Sequence, residues 1–126
     1  MVIAIIGVLL AIGTVAFSTA QRKSRDARRR GDMKAWQDAL EQSYAQNNSY
    51  LISGACATEN LNNITPTDPK NVTPYLYSAR CDADSYCLCA RLEEDGSGNS
   101  TAGSSTPDSC SYSSAGGDYF CVSNLQ

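Results

Sequence analysis

Met1–Ala20 reads MVIAIIGVLLAIGTVAFSTA, twenty residues without a charge, whose polar side chains are Thr14, Ser18 and Thr19. Wound as an α-helix, such a run is about 30 Å long, the depth of a bilayer hydrocarbon core. Little else in the chain is apolar enough to cover it, so a buried core helix is a poor reading and a lipid or a like surface is the natural partner. A basic cluster follows at once, with Arg22, Lys23, Arg25, Arg28, Arg29, Arg30 and Lys34. A cleaved secretory signal has its positive residues ahead of the apolar run, which is the reverse of this order. A plain single-span anchor obeying the positive-inside rule would place the cluster, and all that follows, in the cytoplasm. The cysteines argue for an oxidising compartment instead.

The 126 residues carry a net charge of −3, but the charge is segregated. Residues 1–34 sum to +5 and residues 35–126 to −8. No His is present, which removes the Ser-His-Asp triad, the Cys-His nucleophile pair and any imidazole metal ligand. The carboxylates are scattered and no catalytic constellation emerges, so the chain reads as a non-enzyme that needs no cofactor. An acidic balance disfavours nucleic acid, and Arg28-Arg29-Arg30 sits on a helix segment that packing would crowd. The apolar share of 42% excludes wholesale disorder.

Residues 21–47 continue the helix. Met33, Trp36, Leu40 and Tyr44 recur every three or four residues as one apolar stripe, with charges on the other faces. No Pro occurs before Pro66, so one rod of roughly 70 Å is expected from Met1 to about Asn47, with Gly7 and Gly13 as its weak points. Asn47-Asn48-Ser49 is a stop signal. Tyr50–Pro74 reads as a connecting loop with one short helical turn, with Pro66, Pro69 and Pro74 close together. Strands are expected at Tyr75–Ser78, Ser85–Leu92 and Asp118–Leu125. In the second, Tyr86, Leu88, Ala90 and Leu92 face one way and Cys87, Cys89 and Arg91 the other. In the third, Phe120 and Val122 oppose Tyr119, Cys121 and Ser123. Residues 94–117, rich in Gly, Ser and Thr, read as a loop of 24 residues. The expected fold is α+β: the apolar stem 1–20, the amphipathic half 21–47, and a small antiparallel head 48–126 covered by the Met33/Trp36/Leu40/Tyr44 stripe.

So thin a core calls for staples. Cys56, Cys81, Cys87, Cys89, Cys110 and Cys121 all follow the helix, and an even count in a small head argues for three disulfides over a metal. Cys87-Leu88-Cys89 is not a zinc-finger spacing. Fifteen connectivities are possible. The strand reading favours Cys89–Cys121 across an antiparallel pair; beside it, Cys56–Cys81 would tie the loop after the helix to the sheet and Cys87–Cys110 would hold the long loop, one choice among the three pairings that remain.

An uncharged VIAIIGVLLAIG helix, a charged amphipathic continuation and a disulfide-bonded β head together resemble the type IV pilins and the related pseudopilins of type II secretion. The run Val2–Gly13 looks like the second half of the prepilin N-terminal motif. Ala27-Arg28-Arg29-Arg30-Gly31-Asp32-Met33-Lys34, continuing to Tyr44 and Asn48-Ser49-Tyr50, is similar to the back half of that helix. The likeness covers the first 50 residues or so. Aligning Gly7 with the family's helix glycine places the family's early glutamate a few residues ahead of Met1, so the resemblance implies further mature residues and a leader there. It implies a filament subunit, a major pilin that polymerises into an extracellular surface pilus serving adhesion or twitching motility. The unassembled precursor would sit in the cytoplasmic membrane and be handled by the pilus assembly machinery. Val2, Ile3, Ile5, Ile6, Gly7, Val8, Leu9, Leu10, Ile12, Gly13, Val15 and Phe17 would form the filament core, with local loss of helix at the two glycines. The basic cluster would meet acidic heads of neighbouring subunits at Glu93, Glu94 or Asp95, in pairs worth about 0.2–1 kcal/mol each. The alternatives are a major pseudopilin of a secretion or competence pilus, and a monomeric membrane-anchored binding domain.

Lesser signals remain. Asp95, Ser97 and Asn99 place oxygens at alternate positions like the start of a calcium loop, but the sixth and twelfth positions are Ser100 and Thr106, so an EF-hand is excluded and only a looser site stays open. Asn47, Asn63, Asn71 and Asn99 head N-glycosylation patterns, a match that arises readily in polar sequence. Tyr112 and Tyr119 read as packing residues.

Overall fold

The computed structural model describes residues 1–125. One helix, α1 (Val2–Asn47), accounts for 46 of them and runs unbroken through Gly7 and Gly13. It ends where the sequence stops favouring helix. Asn48 adopts the left-handed conformation (φ 53°) and its N–H closes the last turn on the Tyr44 carbonyl at 2.7 Å.

Seven strands follow among the described residues. β1 (Leu51–Ile52) and β2 (Ala55–Cys56) form a short hairpin, and a single 3-10 turn spans Glu59–Leu61. β3 (Ser78–Cys81), β4 (Tyr86–Arg91), β5 (Gly98–Ser100), β6 (Tyr112–Gly117) and β7 (Tyr119–Ser123) make one antiparallel sheet in the order β3-β4-β7-β5-β6. Leu88 faces Val122 and Cys89 faces Cys121 in the β4–β7 register.

The back half of α1 lies on this sheet. Met33, Trp36 and Leu40 are buried against Tyr86, Leu88, Ala90 and Val122, with half-buried Tyr44 and Phe120 alongside. This is the stripe-on-sheet contact that the two periodicities predict. Tyr50 and Ala57, beside the short hairpin, complete the core. The Tyr50 ring stacks on Tyr44 (centroids 4.5 Å apart) and meets Tyr86 edge-on at 4.7 Å. The opposite face of β4 carries Cys87 and Cys89, so this strand is buried on both sides. The bridges are Cys56–Cys81, Cys87–Cys110 and Cys89–Cys121, the pairing that the strand reading favours.

Expectations are corrected at four places. The Tyr50–Pro74 connection carries the β1–β2 hairpin as well as its helical turn. The strand near residue 75 begins later, at Ser78. Tyr75 is held in a turn by its N–H on the Val72 carbonyl, and its ring lies under the cations of Arg29 and Lys70. The Tyr77 hydroxyl donates to Asp32 at 2.6 Å, so the segment is tied to α1 rather than to a neighbouring strand. The supposed loop 94–117 contains β5 and all of β6. Its glycines are there for proximity as much as for freedom: a Cβ on Gly98 would collide with the Tyr119 carbonyl, and one on Gly117 with that of Ser100. The true loop is 101–111, pinned by Cys110. The other two strands are shorter at their ends than expected, at Tyr86–Arg91 and Tyr119–Ser123.

Because only the back half of α1 meets the sheet, stem and head separate energetically. Leu40→Ala and Leu88→Ala are each expected to destabilise the head by about 2–5 kcal/mol in denaturant titrations. Leu9→Ala is expected to leave the midpoint unchanged.

Candidate assembly surface

The front half of α1 has no partner among the described residues of its own chain. Every residue from Met1 to Ser24 is exposed, and Val2, Ile5, Val8, Leu9, Ile12, Val15 and Phe17 each keep more than half of their accessible surface. By length and composition this helix could cross a membrane, and none of its most apolar 18-residue window is buried. An apolar surface of this extent on a monomer marks a site of contact with lipid or protein.

Where the stem ends, a compact ion cluster fastens helix to head. Arg29 is wholly buried. Its guanidinium donates to both oxygens of Asp68 (Nε to Oδ2 2.6 Å, Nη2 to Oδ1 2.9 Å), and Nη1 donates to Asp26 (2.7 Å) and Glu93 (2.9 Å). Arg25 grips Glu93 with Nε and Nη2 at 2.6 and 2.8 Å, and Lys70 Nζ adds a third contact at 3.1 Å. Asp26 also accepts from the backbone N–H groups of Glu93 and Glu94. Three cations meet three carboxylates, so the cluster is neutral in sum. It unites α1, the 66–70 loop and the turn after β4. The next residue, Arg30, donates to the Ser97 carbonyl at 2.7 Å and lies over the Phe120 ring.

A second fastening sits near the far end. The Glu41 carboxylate accepts from the hydroxyls of Tyr86 (2.8 Å) and Tyr50 (3.2 Å) and from the Leu125 N–H. Burial, together with the Glu41 charge, pushes the Tyr50 hydroxyl up to about 12.

These contacts change the role expected for the basic cluster. Glu93 does not await a neighbouring subunit; it is claimed by Arg25, Arg29 and Lys70 of its own chain. Arg28 pairs loosely with Asp32 at 3.8 Å and Lys34 donates to Gln37. Among the described residues, Arg22 and Lys23 make no ion pair, and both are exposed at the end of the stem. At this end of the stem they are the cations available to an outside partner, and Glu94, on the turn that Asp26 holds, lines the same surface pocket.

Two of the three residues of the looser calcium reading are engaged in hydrogen bonds of their own. Asn99 gives both ends of its amide to the backbone of Cys121, at 2.9 and 2.7 Å. The Ser97 hydroxyl donates to the Glu94 carbonyl, and Asp95 stands exposed. Tyr119 packs on the disulfides, while the Tyr112 hydroxyl donates to Ser123 from a half-exposed ring.

Sequence reasoning located the stem, the stripe and the cysteines. It missed Asp68 and the inward turn of Arg29. The Asp26–Arg29 spacing of three residues was the one available signal for an ion pair on this helix. Asp68, in a loop between two prolines, gave none.

The network makes the head acid-sensitive. Arg25 hydrogen bonds outweigh burial and, with Arg29 and Lys70, hold the Glu93 carboxyl well below the usual range. Burial would raise Asp68, but the Arg29 hydrogen bonds bring it below its ordinary value. Both folded values are depressed, so their contribution is fully present above the unfolded carboxylate pKa of about 4 and lost as pH falls below it. Glu93→Gln is therefore expected to flatten the fall in denaturation midpoint between pH 5 and pH 2 (a window set by that pKa of about 4). Arg29→Ala, which leaves buried carboxylates short of a partner, is expected to destabilise the head by about 3–5 kcal/mol at neutral pH.

Comparison of the chain with protein-family models, with curated proteins and with solved structures finds no match.

Proposed function

We propose that this chain is a structural subunit of the type IV pilin kind, which polymerises through residues 1–20 into an extracellular filament used for adhesion or twitching motility. The observation that carries the reading is the bare stem: a helix of membrane length, continuous with the helix that forms the head's core, and covered by nothing in its own head. In the unassembled state the cytoplasmic membrane takes up that surface. On assembly the stems pack on one another, so lipid contact is exchanged for protein contact and the apolar surface stays out of water throughout.

The head fits the same route. Three disulfides suit a compartment beyond the cytoplasm. The ion cluster sets the head rigidly at the base of the stem, so that stems packed in register would carry their heads in register. Gly7 and Gly13 have open space where a Cβ would stand, so self-packing on the stem is free to use both positions for close approach. A competence or secretion pseudopilus would use the same surface in shorter, less exported filaments.

A charge inside the stem discriminates this reading from a monomeric anchored domain. Leu9→Arg places a cation at mid-membrane depth, at a cost of about 2.5–3.5 kcal/mol on insertion scales. Ile5→Ser removes apolar surface without adding charge. Both are expected to abolish filaments sheared from cells while the head keeps its denaturation midpoint. Filament yield unchanged by both substitutions would contradict the proposal, as would wild-type chain recovered only as a detergent-soluble monomer.

A further inference from the structure

The face of β4 turned away from α1 holds an all-sulfur cluster. Cys87 and Cys89 lie two residues apart on one strand and so point to the same side. Cys121 is the cross-strand partner of Cys89 on β7, and Cys110 reaches in from the 101–111 loop. All four are buried, Cys110 the least at 8% exposed, and Tyr119 packs over them. Their four Sγ atoms lie within 4.8 Å of one another, and the unbonded pair Cys87–Cys89 is 3.6 Å apart. Four sulfurs about 2.3 Å from one zinc at tetrahedral angles are about 3.8 Å apart. Two of these pairs are disulfide-bonded, so on reduction each has to open to about that spacing, which the unbonded Cys87–Cys89 pair already approaches.

In the structure these atoms are half-cystines, and they stand in for the thiolates that a metal requires. We propose that, before its disulfides form, the reduced head binds one zinc-class divalent cation through Cys87, Cys89, Cys110 and Cys121. Thiolates select soft or borderline cations, and zinc accepts four without redox chemistry of its own. No His or carboxylate enters the set, so an oxygen-preferring cation is not served. Two features oppose the site and set its strength. The Val122 carbonyl lies 3.4 Å from Cys110 Sγ and the Ala102 carbonyl 3.6 Å from Cys121 Sγ, and both disfavour anionic sulfur. The charge of the cation has to outweigh them, with Arg91 on the same strand face two residues beyond Cys89.

Loading one zinc releases four protons from four thiols. Conversion to the oxidised head then takes two equivalents of a small-molecule disulfide such as oxidised glutathione. Each equivalent accepts two electrons and two protons and becomes a pair of thiols. The head forms Cys87–Cys110 and Cys89–Cys121, and one zinc ion leaves. The third bridge, Cys56–Cys81, lies outside the cluster and takes no part. This inference does not depend on the pilin reading.

The test uses the full chain in detergent micelles, reduced by a phosphine in denaturant and diluted anaerobically into cobalt(II), with zinc(II) as competitor. The expected result is one cobalt per chain, with visible bands and thiolate charge-transfer absorption of a tetrahedral centre, displaced by one zinc. C56S/C81S is expected to keep the spectrum and the stoichiometry. C110S is expected to weaken binding by more than about a hundredfold, beyond what loss of a supporting partner does. Because a metal can template its own site, the readout does not require a prefolded reduced head. No stoichiometric uptake, an oxygen-ligated octahedral spectrum, C110S binding as tightly as the parent, or loss of the site in C56S/C81S would each overturn the proposal.

Discussion

A helix of 46 residues that offers only its back half to its own head fixes most of what the remainder must do. The front half is too apolar to be left in water and lies beyond the reach of the sheet. Its free energy must be settled outside the chain, in a bilayer or against other stems. The head, in turn, has to hold a long lever by a contact a few turns in length. Met33, Trp36 and Leu40 supply the apolar part of that contact, and the ion cluster and Glu41 supply the polar part at either end of it.

The ion cluster sits where it has most leverage. Arg29 lies wholly inside, and a buried guanidinium is tolerable only when its donors are met. A bidentate bond to Asp68 and single bonds to Asp26 and Glu93 meet them, while Arg25 and Lys70 balance the carboxylates. Such an arrangement adds little net stability over a well-packed apolar one, but it is directional. It ties a loop without regular structure and the β4–β5 turn to one face of one helical turn. Among the described residues the same closure leaves Arg22 and Lys23 as the unpaired cations at the end of the stem, and they rather than Arg25 or Arg29 are placed to meet an outside partner.

Much of this was legible because periodicity is a local signal. The Met33/Trp36/Leu40/Tyr44 stripe and the alternation in Tyr86–Leu92 each fix a face, and the two faces meet. Cys89 and Cys121 pair because both lie on the strand face opposite the core. Composition misled where long-range contact overrode it. A Gly/Ser-rich stretch reads as a loop, yet Gly98 and Gly117 are strand residues whose missing side chains let the backbones close up. Tyr75 and Tyr77 have strand propensity but are drawn to Arg29 and Asp32 on the helix. Asp68 was invisible because nothing in a single sequence links a loop carboxylate to an arginine 39 positions earlier.

The central claim is that the apolar stem is the core of a polymer. Electron microscopy of filaments sheared from the cell surface, taken to side-chain resolution, tests it most directly. The account predicts density for this chain with Val2–Phe17 packed stem against stem at the filament axis and the disulfide-bonded head outside. Filaments built from other chains, with this one confined to the membrane fraction as a monomer, would contradict it.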